Sequence, residues 1–527
     1  MFPRNRHRRA KLVPAAAVVA VLFGPQRGLT QEAVSPIRVV IDLHADPMFG
    51  PVSVQEQVYR DWVIATDWAL DVADAREAKI SFLSCGGFME WVLGDSLGGY
   101  PLVQRLYASG GMVGTHSHDE VRFGTHDWRS VGYSPPPDLV AKLWDDHVAM
   151  VNAVIAAALG VTDADQIEAI NCSRGSHVPS DDAERIAMMA DYGFTLHQQG
   201  ADEQFYAYFR HYPMNPFRPS GTRFLQHDPS GPVVVVPFGP VLGKNETHFG
   251  INQDMRMPAV QGRFLLELLN WLHDVHVART GRVWVTGWGS HCSDVMPGTP
   301  TRAALAPMLD WLVQHFIGKP VGGQTAAMFA GAPEARDAYY AWEAAHPGDI
   351  SFTYPADVTD WSLYPYLIPA VKYLTEAWYV AAMPAVGTVR WHSLTASASA
   401  GGPYTLYVAY TTDGLAATVD LSASLGSGQI ARVSPTTGAA SVLPTTGVPV
   451  GAFGAILVPT DKILLLAGTG DFDEDGDVDL ADFRDFQGCV GAGGSPDLFC
   501  RTADLDADGD VDGSDYTAFE ASLDGPA

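Results

Sequence analysis

The sequence predicts a multidomain chain: an α/β seven-stranded βα barrel, then a small all-β sandwich, then an α-helical acidic tail. Three observations carry that expectation. Short β-branched runs alternate with longer amphipathic stretches between residues 32 and 320. Beyond residue 386 the composition turns to Thr, Ser, Gly and Val with period-two runs such as Leu406 to Tyr410 and Ile456 to Val458. From residue 469 an Asp-rich loop occurs twice at a fixed spacing. Alternating strands and helices call for a parallel sheet, and strands separated by turn residues call for a sandwich.

The chain has 527 residues, 47% hydrophobic and 10% aromatic, which is enough apolar sequence for a sizeable core and more than one domain. Its net charge of −27 argues against a nucleic-acid partner, because phosphate binding needs a basic surface. Residues 1–31 read as a signal peptide: Arg4, Arg6, Arg8, Arg9 and Lys11 precede an apolar run from Leu12 to Phe23. That run contains Pro14 and falls short of the ~20 residues of a spanning helix, so a secreted or cell-surface protein with no transmembrane segment in the mature chain is expected.

The expected strands are Ile37 to Ile41, Ile80 to Ser84, Met112 to Thr115, Ile167 to Ile170, Phe194 to Leu196, Val233 to Val236 and Val283 to Thr286. The expected helices are Val58 to Ala75, Leu139 to Leu159, Asp181 to Tyr192 and Gly262 to Val277. Five of the strands run into polar ends: Asp42, His44 and Asp46; His116, His118 and Glu120; Asn171, Ser173, Arg174 and His177; His197, Gln198 and Gln199; Trp288, Ser290, His291 and Asp294. The C-terminal ends of barrel strands are where chemistry collects. Imidazoles and carboxylates one residue apart on a strand share a face, so His44 with Asp46, and His116 with His118, are candidate ligands of a divalent, zinc-like metal, with Glu120 as a further oxygen. Such an ion makes hydroxide from water near neutrality, a carboxylate such as Asp42 or Asp46 takes the proton, and His291 protonates the leaving group.

These motifs resemble the polysaccharide deacetylase family over most of residues 37 to 316. The resemblance rests on the Asp-containing first strand end, the Gly110 to His118 strand, the Arg174-Gly175-Ser176 turn leading to Tyr192-Gly193-Phe194, and the late Gly281 to His291 strand. It implies a barrel holding one divalent metal on an Asp and two His, with His116 as the first metal histidine, Arg174 as the arginine of the third motif and His291 as general acid. Position 120 departs from the family's second histidine, leaving His118 or Glu120 to complete the ligand set; Asp42, His44 and Asp46 replace adjacent aspartates. The expected substrate is a carbohydrate carrying N- or O-acyl groups. A glycoside hydrolase using Asp46 and Glu120, and a non-catalytic carbohydrate-binding surface protein, are the alternatives. Trp91, Trp128, Trp284 and Trp288 offer sugar-stacking faces to either enzyme.

Residues 321–385 are read as an aromatic, helical bridge packed on the barrel, with Trp342, Trp361 and Tyr366 in its core, and residues 386–468 as the sandwich. In the tail, residues 469–527, Asp471, Asp473, Asp475, Asp477, Asp479 and Asp482 recur as Asp504, Asp506, Asp508, Asp510, Asp512 and Asp515, a period of 504 − 471 = 33. Oxygens at loop positions 1, 3, 5, 7, 9 and 12 with Gly476 or Gly509 at position 6 meet the demands of an EF-hand loop, so two calcium ions are expected. The pair resembles a type I dockerin, which implies a cohesin-like protein partner. Of five cysteines, Cys489 and Cys500 are the candidate disulfide; Cys85, Cys172 and Cys292 sit near strand ends.

Overall fold

The computed structural model describes residues 34–523 apart from 95–97, 175–177, 180, 199–214, 225, 240, 243–246, 249–250, 253–256, 350, 352–376, 397–403, 436–439, 461–479, 492–502, 504 and 506–510. Its first body is a parallel sheet of strands β1 (Ile37–Ala45), β2 (Ile80–Ser84), β3 (Met112–His116), β4 (Ser173–Arg174), β5 (Leu196–Gln198), β6 (Val234–Val236) and β7 (Val285–His291). They lie in the order β6-β5-β4-β3-β2-β1-β7, with Val241–Leu242 added beside β7 and Ala327–Phe329 beside β1, nine strands in all. Val236 ends one edge of the sheet and Val241 joins the other, so a few residues of chain bridge the two edges. Five residues reach at most ~17 Å, so the sheet is curled nearly shut.

Alternation along the strands sorts the side chains. On β1, Val39, Ile41 and Leu43 face the outer helices and belong to the largest core cluster, while Val40 belongs to the cluster inside the barrel. The outer layer includes α1 (Val52–Asp74), α4 (Pro137–Leu159), α7 (Met257–His273) and α8 (Pro300–His315). Here α1 to α9 number the α-helices of this first body in chain order, with α2 (Gly86–Leu93), α3 (Gly99–Ala108), α5 (Ala164–Ile170), α6 (Asp182–Asp191) and α9 (Ala332–Ala345) as the others. Inside, Val40, Leu83, Met112, Leu196, Val234 and Val285 form the layer at the N-terminal end, and Ala332, Ala335, Tyr339 and Trp342 of α9 pack against it. That helix plugs the end of the barrel away from the polar strand ends. Truncating a buried aromatic there costs about 3–5 kcal/mol.

Between the apolar and the polar layers the interior narrows to glycine. A Cβ on Gly114 would lie 2.4 Å from Leu83 Cδ2, and one on Gly287, whose φ is +151°, would lie 1.7 Å from the Val40 carbonyl oxygen. Neither position tolerates a side chain.

The expected strand over Ile167 to Ile170 is instead the helix α5. Asp163 caps it, accepting from Gln166 N at 2.9 Å, and Ile167 and Ile170, three apart, share the face packed on the core. The strand follows at Ser173–Arg174. Two apolar residues three apart fit a helix face as well as a short strand.

From Val34 onward the chain forms one compact unit. The second body is a six-stranded antiparallel sheet ordered Ala377–Ala382, Val389–Ala396, Tyr404–Thr411, Ala455–Val458, Gln429–Val433, Ala440–Pro444. It starts at Ala377, ahead of the expected boundary at 386. One face, with Leu394, Leu406, Val408 and Ile456, shares a core with α7 and α8; the other, with Trp391, Ala409 and Leu457, is covered by the ribbon Ala417–Val419 and Val448–Val450. Trp342 is buried as expected; Trp361 and Tyr366 lie outside the described residues.

Gly287→Ala is expected to lower stability by more than about 3 kcal/mol, whereas Gly298→Ala, at φ +88° with open space around it, should lose only about 1 kcal/mol. Thermal melts of the two variants check this, and equal losses would show that close strand approach is not what position 287 serves.

Candidate metal centre and active site

Period-two alternation brings the polar layer together at the C-terminal end. His44 pairs in register with His291 across β1 and β7, and His116 closes β3 on the other side of β2. Asp46 lies two residues past His44, with 34% of its side chain exposed, and three imidazoles turn Nε2 toward it. Asp46 Oδ1 lies 3.3 Å from His116 Nε2 and 3.7 Å from His44 Nε2, and Asp46 Oδ2 lies 3.3 Å from His291 Nε2. The His44 ring centroid stands 4.1 Å from that of His291 and 5.2 Å from that of His116.

Two of these imidazoles turn their other nitrogen toward a carboxylate. His44 Nδ1 faces Asp42 Oδ2 at 3.2 Å, and His291 Nδ1 lies 2.8 Å from Asp294 Oδ2, which also accepts from the His291 backbone N–H. A neutral ring that donates through Nδ1 presents a lone pair at Nε2. Lone pairs directed at a carboxylate repel unless positive charge sits among them. Burial alone would make the Asp46 carboxyl a weaker acid, but His291, His116 and His118 outweigh it and hold the carboxyl well below its usual range. One ligand atom each from His44, Asp46 and His116 fits within 4.8 Å of the others, so two imidazole nitrogens and a carboxylate oxygen suit a zinc-like divalent cation. The donor set, its carboxylate partners and its burial all fit such an ion.

The other expected site residues are placed differently. Asp42 is fully buried behind His44; it orients that ring and does not stand on the open face as a proton acceptor. His118 turns Nδ1 to Asp119 Oδ1 at 2.5 Å, and Asp119 also accepts from the Ser130 hydroxyl. It is a second His–Asp dyad beside the cluster, its ring 5.6 Å from His116, and is not one of the three grouped ligands. Arg174 lies in register with His116, its side chain outside what is described. His177 and Gln199 lie outside the described residues, His197 packs on Phe224 away from the interior, and Asn171 ties Thr115 to Asn152.

Glu120 does not reach the cluster either. The chain turns after His116 and enters the hairpin Glu120–Gly124 and Asp127–Ser130, pinned to α2 by Glu90, which accepts from the Trp128 indole, the His126 N–H and Arg122. Glu120 begins this hairpin fully buried, with no side chain bonding either carboxylate oxygen among the described residues and only the Gly87 N–H turned toward it. Burial first, then Asp119 and Asp46, push its carboxyl up to about 8, with the Gly87 N–H offsetting this only in part. A buried, protonated Glu120 cannot flank a glycosidic bond with Asp46. Beside it His147 accepts from Gly86 N at 2.7 Å and meets the Glu120 carbonyl at 3.1 Å, and burial pushes it down to about 3. With both ring nitrogens occupied, the Cys85, Glu120 and His147 group is structural.

Trp128, Trp284 and Trp288 are buried and Trp91 is half-buried, so these are core residues and not stacking faces. Two exposed aromatics lie close to cluster residues in chain or space: Phe49, three residues past Asp46, and Tyr133, whose ring meets His118 edge-on at 5.8 Å. Asp294 was visible in the sequence as the fourth residue of a His-x-x-Asp run, but its role depends on the short helix Cys292–Val295 folding it back onto His291.

In the tail, helices Leu480–Cys489 and Gly513–Ser522 pack through Phe486, Val511 and Phe519. Asp515 is fully buried and accepts from Leu505 N at 2.5 Å and Asp512 N at 2.8 Å; Asp512 accepts from Ser514 N. Asp471, Asp473, Asp475, Asp477, Asp479, Asp504, Asp506, Asp508, Asp510, the Asp482 side chain and Cys500 lie outside the described residues. Cys489 is disulfide-bonded, and Cys85, Cys172 and Cys292 are free thiols.

Glu120 predicts a pH dependence. Its carboxyl ionises near 4.5 when unfolded and about 8 when folded, so the stability it contributes is complete below pH 4.5 and is lost as pH rises to 8. Glu120→Gln is therefore expected to melt like the parent at pH 4 and to gain on it steadily up to pH 8, by an amount on the order of a few kcal/mol, with no further gain above. Melting curves across that range check the slope.

No protein-family model and no curated protein matches the sequence. Among solved structures, the fold is similar to a protein described as a polysaccharide deacetylase from Mycobacterium smegmatis, with a TM-score of 0.38 and 13% identity over 66% of this chain and 100% of that one. A second protein so described, from Pseudomonas aeruginosa PAO1, gives a TM-score of 0.36 and 13% identity over 59% of this chain and 93% of that one. A 4-alpha-glucanotransferase from Thermococcus litoralis gives 0.35 and 10% over 58% of this chain and 40% of that one. Likenesses of this size assign neither family nor activity to this chain.

Proposed function

We propose that this chain is an exported, metal-dependent hydrolase that removes N- or O-acyl groups from a carbohydrate. The observation that carries the reading is the convergence of His44, His116 and His291 Nε2 on Asp46 at the open end of the barrel. A zinc-like ion held by His44, Asp46 and His116 would supply a water acidic enough to be hydroxide near neutral pH. The chain's own residues then manage position and protons. Asp42 keeps the His44 lone pair aimed at the ion's place. His291, oriented by Asp294, takes the proton released as water adds to the acyl carbon and returns it to the departing nitrogen or oxygen. Phe49 and Tyr133 offer aromatic faces to the sugar rings.

Purified protein is expected to carry about one zinc-like ion per chain, lost together with acyl release in His44→Ala plus His116→Ala, while the fold persists. Metal analysis and acetate release on a panel of acylated glycans check this. A metal-free protein that still binds the glycans would favour the non-catalytic reading, and reducing-end release without acetate would favour a glycosidase.

We further propose that residues 471–482 and 504–515 bind two calcium ions and dock on a cohesin-like partner. The twice-repeated Asp spacing supports this, as does the burial of Asp515 at the twelfth loop position, turned back into its loop. Fifteen net negative charges (17 − 2) from residue 471 onward hold such a segment open without cation. Chelator is expected to speed proteolysis within residues 469–527 of the full chain at least about tenfold, an effect absent in Asp475→Ala plus Asp508→Ala.

A further inference from the structure

The interior of the barrel holds a polar side chain that the reaction above does not use. Gln198 ends β5 and is fully buried, and among the described residues neither its Oε1 nor its Nε2 has a hydrogen-bond partner. Alternation on β5 places it on the same face as Leu196, inside the barrel, while His197 between them packs outward on Phe224. In register it continues the row of His116 and Arg174 across β3, β4 and β5, with Val236 of β6 next in line. An inward glutamine thus stands level with a proposed metal ligand.

An unpaired buried amide is destabilising, since both ends give up water and receive nothing in return. A leucine would fill the same space without that penalty. An amide side chain offers one thing leucine does not, a donor and an acceptor a fixed distance apart. That pair is complementary to another amide: Nε2–H donates to a carbonyl oxygen while Oε1 accepts from an N–H. An ester presents acceptors only and would leave Oε1 unmatched.

We propose that Gln198 recognises the secondary amide of an N-acylated amino sugar and makes the site discriminate it from an O-acyl ester. This rests on the acyl-hydrolase reading and narrows its substrate. Sites built to hydrogen-bond a substrate group discriminate by leaving their own polar atoms unpaired against the analogue that lacks it.

The test compares full-length, zinc-loaded wild type with Gln198→Leu and Gln198→Glu. The substrates are an N-acetylglucosamine oligomer and an O-acetylated xylo-oligomer, and the melting temperature is read with and without each. Gln198→Leu is expected to melt above wild type, and its ratio of kcat/KM for N-acetyl over O-acetyl substrate should fall at least about tenfold. The melting shift that the N-acetyl oligomer gives wild type should disappear in Gln198→Leu. Gln198→Glu, which keeps the acceptor and loses the donor, should also lose the preference. A lower melting point in Gln198→Leu with an unchanged ratio would overturn the proposal and make the residue structural. Zinc-loaded wild type that releases acetate from neither substrate would overturn the hydrolase reading; if the N-acetyl oligomer still raises its melting point and not that of Gln198→Leu, recognition by Gln198 stands without it.

Discussion

Lone pairs pointed at a carboxylate are the constraint on which this molecule's polar end depends. Of the rings around Asp46, His116 hydrogen-bonds it, whereas His44 and His291, whose Nδ1 sides face Asp42 and Asp294, relieve it only if a proton or a cation supplies positive charge. Bulk water would screen the conflict, but His44 and His116 are almost wholly buried. The scaffold must hold the rings in place against their mutual repulsion, and it does so with parallel strands whose hydrogen bonds run beneath each one. Rigidity of that kind belongs to strands more than to loops.

The layers below are consistent with that demand. Apolar residues fill the N-terminal end, glycines the middle and imidazoles the top, and each layer limits the next. Gly287 and Gly289 leave room for Phe238 and for the Asp42 carboxylate, and Gly114 leaves room for Leu83. A larger side chain in the glycine layer would displace the carboxylate that orients His44. Stability and site geometry are thus the same problem, solved by the same residues.

What the sequence made legible follows from short-range rules. Alternation placed Asp42, His44 and Asp46 along one strand, and β-branched runs marked the first three strands. The twin loops of the tail were visible because a glycine and a valine hold the same places in both copies. The misreadings arise where a short pattern is ambiguous or where the fold overrides it. Ile167 and Ile170 fit either period over so few residues, and only the cap at Asp163 decides for a helix. Glu120 continued the spacing of His116 and His118, yet the strand stops at His116 and the chain turns into a hairpin, so the spacing no longer means a shared face. Spacing alone gives Asp294 and Gln198 no role: the short helix Cys292–Val295 brings Asp294 onto His291, and strand register sets Gln198 level with His116.

The helix Ala332–Ala345 has a consequence for traffic. By seating Tyr339 and Trp342 against the barrel's apolar layer it closes, among the described residues, the end of the interior opposite the imidazoles. A polymer cannot thread through a cul-de-sac. A group that enters from the rim must back out the same way before the next can come in.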